Sequence, residues 1–474
     1  MDGLEISEVA FSNIDLGDRY DAEYFTKEYL DIEQQLKRVT TKKLGTLATA
    51  VASAFYPAAT QLYSIGDTAF VRCVDCIDYP IITNEQDDQF EKIPYSFGKE
   101  NKGISFLNKG EIVVTKVGTP CYASIVDDYE EVALSRTVMG LSNIHGIDAY
   151  YLMVFLRCKY GFEQLYRQRE LTIQYQLTLP RVKAVDVFCP SENFQRIIRE
   201  ICLKYREMSG KSTAAYEKAE NWLADSLGIR TKQFDTTVSV KSFSDSFLKT
   251  GRLDAEYYQP KYDYYQSKIE EYGNGHFRIG DVAEYVFTGE YSEEYLPKHN
   301  GRRFYIRGTN MKNGRIKTDE NYYVDPSNHQ KYVSAGDIVT TRVGSVGLFA
   351  EIDNSLDGAI CSDNVICFRL PNYCKPDVYT LLLNSKPIHE LIDRLARGSV
   401  QQRLNQETLR DVILPILEPG LQKDLSEAIN ISFSLQTRAD ALLDYAKYAV
   451  EMAIEHDENT ALAWLKDRVS QLEV

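Results

Sequence analysis

The 474 residues of this chain, 54.2 kDa, exceed what one hydrophobic core holds and imply a multidomain protein. Hydrophobic residues at 44% and charged residues at 26% exclude a disordered or fibrous chain. A net charge of −15, from 54 Lys and Arg against 69 Asp and Glu, excludes a general polyanion binder, so any nucleic-acid contact must come from local basic patches.

In chain order, residues 1–17 lack the basic start and apolar block of a secretory signal, and no apolar run reaches membrane-spanning length. A cytoplasmic protein with no membrane partner is expected. The spacing predicts a short helix over residues 21–37, followed by short strands and turns. Residues 70–77 read as a strand that points Cys73 and Cys76 to opposite faces, and with no second cysteine pair no metal site is expected. The nine cysteines are odd in number and dispersed, as reduced thiols are. An apolar run over 111–117 ends at Gly118, a helical patch follows at 148–167, and a long segment without internal proline begins behind Pro190. In it Ile201, Tyr205, Met208, Ser212, Ala215, Ala219 and Trp222 step by four and three, the seam of a coiled coil. A polar linker, 230–250, opens a second passage through the same plan. It has a helix over 254–271, an apolar run over 337–343 ending at Gly344, and a helical patch over 376–397. A long helix at Pro419 then carries Leu435, Ala439, Leu442, Ala446, Ala449 and Ala453 on its seam. The two long helices, each ~54 Å at about 36 residues, are expected to pack on each other and hold two α/β globules apart.

The second passage repeats the first residue by residue. Phe11-Ser12 and Arg19-Tyr20-Asp21-Ala22-Glu23-Tyr24-Phe25 return as Phe243-Ser244 and Arg252-Leu253-Asp254-Ala255-Glu256-Tyr257-Tyr258. Lys43-Leu44-Gly45-Thr46-Leu47 matches Arg278-Ile279-Gly280-Asp281-Val282, and Phe70-Val71-Arg72 matches Tyr305-Ile306-Arg307. Gly110-Glu111-Ile112-Val113-Val114-Thr115-Lys116-Val117-Gly118 matches Gly336-Asp337-Ile338-Val339-Thr340-Thr341-Arg342-Val343-Gly344. Ile173-Gln174-Tyr175-Gln176-Leu177 matches Val400-Gln401-Gln402-Arg403-Leu404. These blocks keep their order roughly 230 residues apart, so the chain is a tandem duplication.

No catalytic constellation stands out, and no cofactor is expected. Ser209-Gly210-Lys211-Ser212-Thr213 has the tail of a phosphate-binding loop, but Tyr205 occupies the place of its first glycine, within a predicted helix. The six histidines show no metal-ligand spacing, and neither a nucleophile elbow nor an amino-methyltransferase signature is present. Asp127-Asp128 and Glu293-Glu294 read as solvated surface.

Positive charge is gathered locally. Residues 298–317 hold Lys298, Arg302, Arg303, Arg307, Lys312, Arg315 and Lys317 and no acid. Residues 151–183 hold Arg157, Lys159, Arg167, Arg169, Arg181 and Lys183 against Glu163 and Glu170. Lys and Arg suit phosphates, whereas Arg and Gln have the bidentate geometry that reads base edges. A basic run can also be a solvated loop, and Lys116 and Arg342 can simply flank a structural turn. Retention of Arg72/Arg307, Lys116/Arg342 and Gln174/Gln401 in both copies favours a shared role. The candidate DNA-binding residues are Arg72, Lys116, Arg169, Gln174, Gln176, Arg302, Arg303, Arg307, Lys312, Arg342, Gln401, Gln402 and Arg403.

The order of these blocks, with the Gln-bearing segments ahead of Pro180 and Pro415, resembles the specificity subunit of type I restriction-modification systems over nearly the whole chain. The resemblance implies an α+β fold with two target-recognition domains in tandem, separated by two long antiparallel helices. It implies domains at 1–190 and 251–418, spacer helices at 191–229 and 419–474, and a linker at 230–250. It also implies a non-catalytic subunit in which each domain reads half of a bipartite site in double-stranded DNA. The helices would dock two methyltransferase subunits, joined by a translocating endonuclease subunit. The strong acidity departs from that pattern and leaves two other readings open: an acidic scaffold or DNA mimic that binds a DNA-modifying enzyme, and an enzyme with a cryptic site.

Overall fold

The computed structural model describes residues 6–10, 21–54, 60–170, 175–229, 238–318, 321–344, 346–395 and 403–472. Its contacts divide into two units, Met1–Thr213 with Ser434–Val474 and Ala214–Phe433. Each unit contains part of both long helices, Glu192–Leu227 and Pro419–Glu455.

In the first unit a five-stranded sheet runs Thr49–Ala52, Val138–Ser142, Ile112–Thr115, Ala123–Val126, Ile81–Ile82. Beside it Thr68–Val71 pairs in parallel with Glu131–Leu134, and Thr41–Lys43 closes on Asp186–Phe188. The second unit repeats this topology. Its four-stranded sheet runs Tyr285–Thr288, Val365–Arg369, Ile338–Thr341, Phe349–Glu351. Arg303–Ile306 pairs in parallel with Ile360–Cys361, and His276–Arg278 closes on Ile413–Pro415. At the edge, where the first unit has Ile81–Ile82, the second places the hairpin Met311–Lys312 and Arg315–Ile316, whose Gly314 bridges Ala350. The fold is α+β, with the core of each sheet duplicated and the edges divergent.

Helices cover these sheets where the apolar spacing places them: Ala149–Arg157 and Lys159–Arg167 in one unit, Pro376–Asn384 and Lys386–Leu395 in the other. The copies also share their buried polar clamps. The Tyr151 hydroxyl donates to the Phe188 carbonyl at 2.9 Å and that of Tyr379 to Pro415 at 3.0 Å. Gln195 accepts from the Asp148 amide as Gln422 does from Lys375, both at 2.8 Å.

The long helices run antiparallel within the first unit, where the Ser191 amide donates to Glu458 beyond the second helix and the Ser209 hydroxyl donates to Gln436. Tyr205, Ser212, Ala439, Leu442, Ala446, Ala449 and Ala453 are buried, as the four-three spacing requires. In the second unit Ala219 and Leu223 pack with Leu425 and Ile429, and Tyr216 meets Phe433 at 6.0 Å between ring centres. Trp222 leaves the expected seam, being 40% exposed, because Leu223 and Leu227 take the inward positions.

Two further expectations are corrected. The strand at Phe70 ends at Val71, and Cys73–Asp78 is a helix begun by Asp75, whose carboxylate accepts the Arg72 amide at 2.7 Å. Cys73 and Cys76 therefore stand one turn apart on a helix. Asp127 and Asp128 are not solvated surface, since both pair with Arg206 of the first long helix and Asp127 also accepts the Tyr150 hydroxyl. The Gly-Lys-Ser stretch lies within a helix, without the strand-to-helix turn that a phosphate loop needs. No described helix is long and apolar enough to cross a membrane, and no metal-holding cluster occurs among the described residues.

Candidate nucleic-acid interface

In each unit four loop segments are tied to one another by the backbone. In the first, the Ser135 amide donates to the Val71 carbonyl, and the Lys116 amide donates to that of Thr137. The Leu177 amide donates back to Lys116 at 3.0 Å, and Val117 bridges Gln176. In the second, Ser362 donates to Ile306, Arg342 to Asn364 and Leu404 to Arg342, while Val343 bridges Arg403. The turn after each central strand needs a left-handed residue, and Gly118 and Gly344 supply it at φ 91° and 85°. This corner brings Arg72, Lys116 and Gln176 together in one copy and Arg307, Arg342 and Arg403 in the other.

The local chemistry of the two corners differs. The Arg72 guanidinium pairs with Asp75 and Glu91, each at 3.3 Å, so its donors are already engaged. Burial pushes the Asp75 carboxyl above its usual range, and the Arg72 hydrogen bonds oppose that shift. In the second copy Asn310 stands where Asp75 does and accepts the Arg307 amide at 2.9 Å, but it carries no charge. The Arg307 guanidinium lies 3.2 Å over the Tyr322 ring and 5.8 Å from that of Tyr295. Such a cation–π contact is worth about 0.5–2 kcal/mol and leaves the edge donors unused.

Other candidates take different places. Arg169 is sandwiched between Tyr166 and Tyr175, at 3.2 and 4.4 Å, and the Glu170 amide donates to the Gln176 carbonyl, which sets that loop beside Lys116. Arg342 donates to the Asp363 carbonyl at 3.3 Å. Lys312 lies on the edge hairpin. Arg302 donates to the Pro297 carbonyl, and Arg303 starts the strand that ends before Arg307, beside the loop at Gly358. About 13 Å of strand therefore divides Arg303 from Arg307, so the three arginines of the basic run do not converge. Gln174, Gln401 and Gln402 lie outside the described residues.

Part of the basic patch over 151–183 is internal. Arg157 donates to the Ala123 and Cys76 carbonyls, and Arg167 is 11% exposed, lies over Tyr24 and donates to its carbonyl. Arg394 repeats the role of Arg167 over Tyr257. Sequence reasoning missed Tyr295, Tyr322 and Asn310. Their legible signals were the 33 tyrosines and the repeated spacing Arg72-x-x-Asp75 and Arg307-x-x-Asn310.

Residues 273–428 match the family model for the type I restriction modification DNA specificity domain. No curated protein matches the chain. Among solved structures, the type I restriction-modification S subunit from M. genitalium aligns over 91% of this chain and 95% of its own, with 12% identity and a TM-score of 0.36. The HsdS subunit from Thermoanaerobacter tengcongensis aligns over 88% and 97%, with 12% identity and a TM-score of 0.29. The stretch that is similar to a type I restriction modification DNA specificity domain, residues 273–428, holds most of the second unit's strands, including its Arg307 corner.

Proposed function

We propose that the chain is the non-catalytic subunit that gives a type I restriction-modification complex its sequence specificity, each unit reading one half of a bipartite site in double-stranded DNA. The observation that carries this reading is the duplicated corner, in which Arg72 with Lys116 and Arg307 with Arg342 stand on equivalent, backbone-tied loops. The reading domains span residues 1–190 and 251–418, the helical segments 191–229 and 419–474, and the linker 230–250. The helices dock two methyltransferase subunits, and a translocating endonuclease subunit joins them. Cationic side chains at each corner hold phosphates, and the planar Arg and amide groups meet base edges.

Methylome sequencing of cells with and without the gene tests this directly, because a bipartite motif should vanish with the chain. Binding by the assembled complex should weaken steeply with salt. Binding indifferent to both salt and DNA sequence, or methyl transfer by the isolated chain, would contradict it.

A further inference from the structure

The Arg307 corner is built more stiffly than a phosphate contact requires. Its loop is clipped at both ends by buried Asn310, which accepts the Arg307 amide at 2.9 Å and donates to the Lys317 carbonyl at 3.0 Å. Beneath the guanidinium lies a tier of rings, with Tyr295 set 5.4 Å from Tyr322 and 5.6 Å from Tyr305 between centres. Tyr322 is fixed in turn, because its carbonyl accepts the Tyr305 amide at 2.9 Å. The guanidinium makes no hydrogen bond or ion pair among the described residues, and its Nε is buried without a partner. The Nη atoms are not among the buried unpartnered ones, so they are the donors of this guanidinium that an acceptor outside the chain can reach.

From this geometry we infer that Arg307, held over Tyr322 with Tyr295 alongside as positioning residues, reads a guanine in the second half-site by a bidentate contact to O6 and N7. The inference rests on the DNA-reading function proposed above. A phosphate takes a flexible point charge as readily as a fixed fork, whereas two coplanar acceptors on a base edge reward a planar donor pair whose orientation is set before binding. The first copy lacks this device at the equivalent residue, since Asp75 and Glu91 occupy the donors of Arg72. The second half-site therefore has a guanine requirement that the Arg72 position does not impose on the first.

The test is selection of random duplexes by the full chain assembled with its methyltransferase subunits. Wild type should enrich a guanine at one position of the second half-site. Arg307→Lys and Tyr322→Leu should flatten that position by about 5- to 140-fold, with the rest of the motif and the salt slope kept. Tyr322→Phe, which keeps the ring, should retain the guanine. Uniform weakening across all sequences with a shallower salt slope would make Arg307 a phosphate contact and overturn the assignment, as would an unchanged motif in Arg307→Lys. A wild-type assembly that enriches no sequence at all would fail earlier, sinking the DNA-reading function and this inference together.

Discussion

Two corners with one backbone plan carry opposite electrostatics. At Arg72 a carboxylate begins the short helix and Glu91 lies against the guanidinium, whereas at Arg307 an amide begins the turn and tyrosines lie against it. The two copies share the scaffold, and the side chains around it leave one arginine engaged by carboxylates and the other lying over a ring. The sheet edges diverge in the same manner. Buried Ile125 pairs with Ile112 and Ile81 in the first unit, while the second places Glu351 opposite Ile338 beside the edge hairpin. Burial, with Asp377 and Asp353 nearby, raises the Glu351 carboxyl from 4.5 to about 7 against the opposing pull of Arg315.

The comparison yields predictions in descending order of effect. Tyr151→Ala and Tyr379→Ala each remove a fully buried ring and its carbonyl bond. Each should destabilise its own unit by about 3–5 kcal/mol, to similar extents, as hydrogen exchange under increasing denaturant will report. A large difference between the two would break the equivalence of the copies.

Glu351→Ile installs the first unit's residue at the second unit's edge. Because the folded carboxyl titrates above its unfolded value, the protonated form is favoured in the fold. Stability is therefore fully present below pH 4.5 and is lost as pH rises to about 7. The isoleucine variant should lose this dependence and gain on the order of 1–3 kcal/mol above pH 7, read from melting midpoints across pH.

Exchanging the corner chemistry is the sharpest comparison. Asn310→Asp should engage Arg307 and weaken selection at its base pair, and Asp75→Asn with Glu91→Gln should release Arg72 and add a preference in the first half-site. Each change should be about tenfold in duplex selection. Smallest of all, Lys116→Ala and Arg342→Ala should each lower the salt slope by about 1 with the recognised sequence unaltered.

Much of the architecture was legible in the residues. The four-three spacing of Tyr205 and Ser212, and of Ala439 to Ala453, located the helix seams because a helix buries a stripe set by its own period. The matching of Phe70-Val71-Arg72 to Tyr305-Ile306-Arg307 placed both corners before any contact was known, because equal sequence blocks fold to equal loops. Trp222 failed since its neighbour Leu223 satisfied the same stripe one residue on. Cys73 and Cys76 were misplaced because a single carboxylate, Asp75, ended the strand and began a helix.

By itself the sequence determined the duplication, the long helices and the segments where cations gather, all of which are local periodicities or repeats. Only the tertiary structure decided which cations are available. Arg157 and Arg167 are drawn inward to carbonyls, Arg72 is neutralised by Glu91, and Arg307 lies over the Tyr322 ring. The partners of a charge are neighbours in space, and its energy depends on them far more than on the residues beside it in the chain.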